Sequence, residues 1–275
     1  MPSEADAIAA TSVPATILSL VGDIAALGVE PGGVVIVHSS LSALGWVAGG
    51  PQSVVEALLE VVGPDGTIVM PTHSGQLSDP AAWSRPPVPE AWIDPLHEGL
   101  PAYDPYLTPT LAMGQVVECF RQHRSTLRSA HPTLSFAACG PKAEAVVGFH
   151  PLSPGLGEES PLGRLYELDA QVLLLGVGHV HDTSLHLAEH RASWPGKATM
   201  REGAPVRRRG RREWVAYDDL ELDESDFDRI GDAFAATGGE RSGPVGQGIG
   251  RLSRVRALVD FAVEWMNEHR PHLPD

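Results

Sequence analysis

Apolar residues fall at helical spacing over residues 14–28 (Ile17, Leu18, Leu20, Val21, Ile24, Leu27), and Gly28 supplies a stop. After the Pro31-Gly-Gly turn, the unbroken run Val34-Val-Ile-Val37 predicts a buried strand that ends directly on His38-Ser39-Ser40. A second helix is expected from Pro51, since proline suits a first helical turn, through Val54, Leu58, Leu59 and Val62. Gly63-Pro-Asp-Gly66 then turns the chain into a strand over Thr67–Met70, followed by Pro71-Thr72-His73-Ser74. Residues 75–110 hold no period and predict a long structured loop, a feature that is often functional. A short helix over 114–123 and a strand over 133–138 follow. Gln171–Leu175 predicts another buried strand, closed by Gly176-Val-Gly178, and residues 183–192 suit a helix. Arg207–Arg212 carries five arginines, expected on a solvated hairpin or loop facing the seven acids of residues 218–228. Within that acidic run Glu221 and Asp223 alternate with Leu220 and Leu222, as on a half-buried strand. A final amphipathic helix is expected over 251–268. Strands alternating with helices predict an α/β/α sandwich around a mixed central sheet, with a small antiparallel excursion near 200–230, in a single domain spanning residues 1–275.

Composition narrows the function classes. Twenty basic against 35 acidic residues leave a formal charge of −15, which disfavours nucleic-acid binding and favours encounter with cationic small molecules, or else only maintains solubility. Two cysteines, Cys119 and Cys139, allow at most one bridge and are expected to be buried thiols. The acidic start, Met1–Asp6, is unlike a signal peptide, and no apolar run reaches the ~18 residues of a membrane span, so a cytoplasmic, reducing location is expected.

Three predicted strands end in polar loops, at His38-Ser39-Ser40, at Thr72-His73-Ser74 and at Gly178-His179, and ligands of α/β sheets bind outside such carboxyl ends. On a helix beginning near Asp182, His186 stands one turn from both Asp182 and Glu189. A carboxylate beside an imidazole fixes its tautomer and favours proton uptake at the free nitrogen, which suits a general base. Equally, Asp182 can be a helix cap and His186 a satisfied buried histidine. The same residues fit the H-x-x-E-H pattern of inverted zinc peptidases, with His186 and His190 as ligands and Glu189 activating water. Gly49-Gly50-Pro51 can present backbone amides to a phosphate or pantetheine oxygen. No dinucleotide fingerprint, P-loop or G-x-S-x-G elbow is present.

The segments Val37-His-Ser-Ser-Leu-Ser-Ala-Leu-Gly45, Gly63-Pro-Asp-Gly-Thr-Ile-Val-Met-Pro-Thr72, Arg128-Ser-Ala-His-Pro132, Ser160-Pro-Leu-Gly-Arg-Leu165, Gly176-Val-Gly-His179, Leu185-His-Leu-Ala-Glu189 and Gly243-Pro-Val-Gly246 occur in the order found in aminoglycoside 3-N-acetyltransferases. The sequence resembles that family over about residues 15–265. The resemblance implies the family's own α/β sandwich, distinct from the GCN5-related fold, and acetyl transfer from acetyl-coenzyme A to the 3-amino group of 2-deoxystreptamine antibiotics, conferring resistance. It implies His186 as the base, Glu189 and Asp182 as orienting groups with His179 nearby, and Ser39, Ser40, Val47, Gly49 and Ser129 along the coenzyme. Asp79, Glu221 and Asp223 would face the antibiotic, with the 75–110 and 200–230 excursions setting substrate choice. No metal is expected, and the implied state is a monomer or homodimer. Transfer to another small amine, or a zinc hydrolase built on His186, Glu189 and His190, are the alternatives.

Overall fold

A computed structural model describes residues 4–270, so Met1–Ser3 of the acidic start lie outside the described residues. The chain runs α1 (Glu4–Ala10), α2 (Ile17–Leu27), β1 (Val34–Ser39), α3 (Pro51–Val62), β2 (Thr67–Pro71), α4 (Ile93–Gly99), α5 (Gly114–Arg121), β3 (Thr126–Arg128), β4 (Phe136–Cys139), α6 (Ala143–Val147), α7 (Pro161–Glu167) and β5 (Gln171–Leu175). It continues with α8 (Leu185–Arg191), β6 (Thr199–Arg208), β7 (Arg211–Leu220), α9 (Phe227–Ala236), β8 (Arg241–Val245), β9 (Gly248–Arg254) and α10 (Val255–His269).

Seven strands form one mixed sheet in the order β3-β4-β2-β1-β5-β9-β8. β1 pairs in parallel with β2 on one side and with β5 on the other, while the outer strands are antiparallel. Side chains of successive strand residues point to opposite faces, and the packing follows that alternation. Val35, Val37, Ile68, Met70, Leu173 and Leu175 join α2, α3 and α5 in one core. Ile36, Val69, Val172 and Leu174 join α6–α10 in the other. Burial on both faces explains why these strands read as unbroken apolar runs. The layers are therefore α/β/α, as expected. Among the described residues no helix is long and apolar enough to cross a membrane.

Several elements differ from the sequence expectation. The 75–110 segment is not wholly loop, since it carries three single 3-10 turns and the helix α4. The last helix starts at Val255, because residues 248–254 pair with β5 and with β8 as a strand. Leu252 and Val255 keep a three-residue spacing across that boundary, which mimics continuous helix. Glu221 and Asp223 lie beyond the end of β7 in a connecting segment, and α9 follows immediately. The arginine cluster does cap a hairpin, turning at Arg209 and Gly210, both of positive φ. Its ion pairs stay within the hairpin, Arg208 with Glu213, while Arg212 donates to the backbone carbonyl of Leu100 after α4. Both cysteines are free thiols, but only Cys139 is buried, and Cys119 is half-buried.

Candidate active site

The three parallel strands β1, β2 and β5 point the same way, so their carboxyl ends share one edge of the sheet. There the chain leaves β1 toward β2 on one side and leaves β5 toward β8 and β9 on the other, the position where open α/β sheets form crevices. Two clefts open at this edge. The larger, about 1070 Å³, is lined by His38, Ser39, Ser40, Val47, Gly49 and Gln115 among others. The smaller, about 380 Å³, is lined by His73, Thr133, Glu202, Tyr217, Asp219 and Leu222 among others. Ala112 lines both, so the clefts adjoin.

Gly49 and Gly50 both adopt positive φ where the larger cleft meets the start of α3. A Cβ at Gly49 would stand 2.4 Å from the Ser53 hydroxyl, which donates to the Ala48 carbonyl. Only glycine permits both the turn and that bond.

His186 emerges from α8 and Glu189 from the next turn of the same helix. In the neutral imidazole of His186, Nδ1–H donates to Glu189 Oε2 at 2.5 Å and Nε2 keeps a lone pair. Glu189 is completely buried, and its Oε1 accepts from Arg270 Nη1 at 2.8 Å and from the Asp223 amide at 3.0 Å. Arg270, itself buried, binds Asp226 through Nε and Nη2 at 2.9 and 2.8 Å. The imidazole, packed on Phe227 at 5.0 Å between centroids, thus terminates a buried chain of alternating charge. Burial of Arg270 works against its charge, but the Asp226 and Glu189 carboxylates outweigh this and raise its pKa. Both Glu189 oxygens are engaged by donors, which leaves neither as a free base for a metal-bound water.

A protonated His186 acts electrostatically on both His38 and His73, one lining each cleft. Burial lowers the pKa of His38 to about 4 and that of His73 to about 3, and neighbouring imidazoles add to the effect at both. Both are neutral at physiological pH.

His179 and Asp182 are brought together with His38, not with His186. α8 starts at Leu185 and Asp182 is extended, its Oδ1 accepting from the Ser184 amide at 3.0 Å. The expected one-face arrangement of Asp182 with His186 is therefore corrected: without helix at residue 182 the i,i+4 geometry does not exist. Asp182 instead lies 3.7 Å from both His38 Nε2 and His179 Nδ1, too far for hydrogen bonds. His179 is bound through Nε2 to Glu240 at 2.7 Å, and Glu240 also accepts from Arg251 at 3.0 Å. Burial opposes the charge on His179, yet the Asp182 and Glu240 carboxylates raise its pKa to about 9.

Ser39, Ser40, Val47 and Gly49 line the larger cleft. Ser129 does not, because its hydroxyl is buried, bonded to His150 Nδ1 at 2.9 Å and accepting from the Phe136 amide. None of Asp79, Glu221 and Asp223 lines the smaller cleft. Asp79 binds His97 at 2.8 Å, and Glu221 is exposed. Asp223 reaches the site through its backbone amide on Glu189, and its carboxylate interacts with His186. The acids that do line it are Glu202 and Asp219 of the β6–β7 hairpin. Burial, reinforced by the nearby Asp219 and Asp79 carboxylates, raises the pKa of Glu202. Sequence reading passed over these two, although acids on one hairpin beside a long excursion were a usable signal. Arg270, 81 residues from Glu189, left none.

The sequence matches the profile of the aminoglycoside 3-N-acetyltransferase family over residues 36–267. It is 45% identical, over 94% of each chain, to the SPbeta prophage-derived aminoglycoside N(3')-acetyltransferase-like protein YokD of Bacillus subtilis (strain 168). The crystal structure of YokD superposes with a TM-score of 0.94 at 44% identity, covering 97% of this chain and 98% of YokD. AAC-IIIb, solved as a binary complex with CoASH, gives a TM-score of 0.84 at 34% identity over 96% of this chain and all of the other. AAC-VIa bound to sisomicin gives 0.84 at 32% identity, over 95% of this chain and all of the other. Profile, sequence identity and superposition agree over nearly the whole length, and the chain belongs to the aminoglycoside 3-N-acetyltransferase family.

Proposed function

We propose that this protein transfers an acetyl group from acetyl-coenzyme A to the 3-amino group of a 2-deoxystreptamine aminoglycoside, with His186 as general base. The observation that carries the reading is the 2.5 Å His186–Glu189 bond, on a histidine whose charge is felt by His38 in the larger cleft and by His73 in the smaller. The donor lies in the larger cleft, along Ser39, Ser40, Val47 and Gly49, and the CoASH-bound state of AAC-IIIb supports that class of donor. The acceptor lies in the smaller cleft, where Glu202 and Asp219 complement a cationic amine, and the sisomicin complex of AAC-VIa supports that class of acceptor. The 75–110 and 200–230 excursions both contribute to this second cleft, through Gly75, Ser78, Met200 and the hairpin acids.

An ammonium is not a nucleophile, so the reaction starts with proton transfer from the substrate to Nε2 of His186. The resulting imidazolium is stabilised by Glu189, whose position Arg270 fixes. The freed nitrogen pair attacks the thioester carbonyl carbon and a C–N bond forms. Collapse of the tetrahedral intermediate breaks the C–S bond, the departing thiolate takes the first proton from His186, and the nitrogen's second proton is lost to solvent, leaving the neutral amide and coenzyme A. A well-placed base of this kind contributes ~10²–10⁴-fold. Direct transfer needs no protein nucleophile, and burial raises the pKa of both cysteine thiols away from reactivity. Antibiotic resistance in the cytoplasm is the corresponding biological role.

The test is coenzyme A release, followed with a thiol reagent, across 2-deoxystreptamine aminoglycosides with and without a free 3-amino group. Release confined to the free 3-amines is expected. Release with other small amines alone would replace the acceptor class, and silence with every amine would overturn the transferase reading.

A further inference from the structure

The larger cleft has an unusual charge pattern for a coenzyme A site. Coenzyme A joins a neutral pantetheine arm, with two amides and a hydroxyl, to a nucleotide carrying a diphosphate and a 3′-phosphate. Proteins that read phosphates place arginine or lysine side chains on them. Among the described residues that line this cleft there is no arginine or lysine, and the acidic side chains are Glu4 and Asp6 of α1. Glu4 accepts from the Trp46 indole at 3.3 Å, which holds α1 at the cleft. The rest of the polar lining is mostly neutral. The Ser39 hydroxyl is buried with no partner, the Ser40 and Ser42 hydroxyls stand 3.2 Å apart, and Gln115, Thr183 and Gln247 add amide and hydroxyl groups. The electropositive backbone feature is the start of α3 at Gly50, worth about half a charge.

Resting on the acyl-coenzyme reading above, we propose that the donor cleft recognises the neutral pantetheine arm and takes no net binding energy from the nucleotide phosphates. The substrate class of this site is therefore acyl-pantetheine thioesters in general, of which acetyl-coenzyme A is one. The neutral hydroxyl and amide lining matches the arm. Glu4 and the formal charge of −15 repel the phosphates.

Calorimetric titration of the full chain with acetyl-coenzyme A and with S-acetylpantetheine, at low and high ionic strength, tests this. The two dissociation constants are expected within about tenfold of each other. Raising salt from about 0.05 to about 0.5 M should leave acetyl-coenzyme A binding unchanged or tighten it, because screening removes repulsion. S-acetylpantetheine binding weaker by more than about tenfold, or acetyl-coenzyme A binding that weakens with salt, would overturn the inference while leaving the transferase reading intact. Failure of acetyl-coenzyme A itself to bind would overturn both.

Discussion

Replacing Glu189 by Gln isolates what the buried carboxylate contributes to His186. The substitution preserves shape, and the amide oxygen can still accept from Arg270 Nη1 and the Asp223 amide at the Oε1 position. The amide nitrogen must then occupy the Oε2 position, 2.5 Å from His186 Nδ1, where it can only donate. The imidazole responds by placing its proton on Nε2, and the nitrogen meant to receive the substrate proton loses its lone pair. The negative charge that stabilises the imidazolium is lost as well. Together these remove most of the general-base contribution, so kcat should fall ~10²–10⁴-fold. Arg270 keeps its two bonds to Asp226, and the stability cost is correspondingly modest, about 1.5–3 kcal/mol for one lost charge-assisted bond. Coenzyme A release at saturating acetyl-coenzyme A, with urea unfolding on the same sample, separates the two effects. A kcat within about threefold of the unmodified protein would refute the tautomer argument. So would a kcat loss that simply tracks the unfolded fraction.

Other parts of the molecule give sharper tests of packing, charge and specificity. Arg270→Met strands two buried carboxylates, Glu189 and Asp226, and should cost about 3–5 kcal/mol, lowering Tm by roughly 6–15 °C in a thermal melt; a shift under about 2 °C would contradict the ion-pair chain. The unfolded histidine value is 6.5, and burial holds His38 and His131 at about 4 and His73 and His150 at about 3. Their contributions are present above pH 6.5 and lost as pH falls through those values, because the unfolded chain takes up protons first. His179, raised to about 9, contributes in the opposite sense: its share, about 3 kcal/mol, is complete below pH 6.5 and lost as pH rises toward 9. Urea midpoints should therefore peak near neutrality, and His179→Gln should flatten only the alkaline limb; a profile that keeps this limb refutes the assignment. Glu202→Gln should raise the KM of the aminoglycoside about tenfold with that of acetyl-coenzyme A unchanged, whereas equal changes in both would place Glu202 outside the acceptor cleft.

Much of the fold was legible because β1, β2 and β5 are buried on both faces and bounded by glycine or proline, which leaves short apolar runs with clear ends. The same logic fails at the sheet periphery. β3 has only three residues at an edge, none of them buried, and so carries no apolar signature. β9 passes into α10 without a breaker, and its inward residues happen to continue the helical spacing. At the site, the His186–Glu189 pair was legible because both residues sit on one short helix, where the spacing in sequence fixes their geometry. Asp182 was misplaced with them because the helix start depends on a 3-10 turn at 179–181, which side-chain pattern does not encode. The Arg270 anchor and the pairing of His38 with the His179 cluster are products of topology, joining elements that are distant in sequence.

The most direct measurement of the central claim is single-turnover acetyl transfer by His186→Ala, with acetyl-coenzyme A binding measured on the same preparation. The account predicts unchanged donor affinity, since His186 lines neither cleft's described walls, and a rate lowered ~10²–10⁴-fold. Near-normal transfer by a variant that binds the donor normally would contradict it, and would move the base to another residue of the edge.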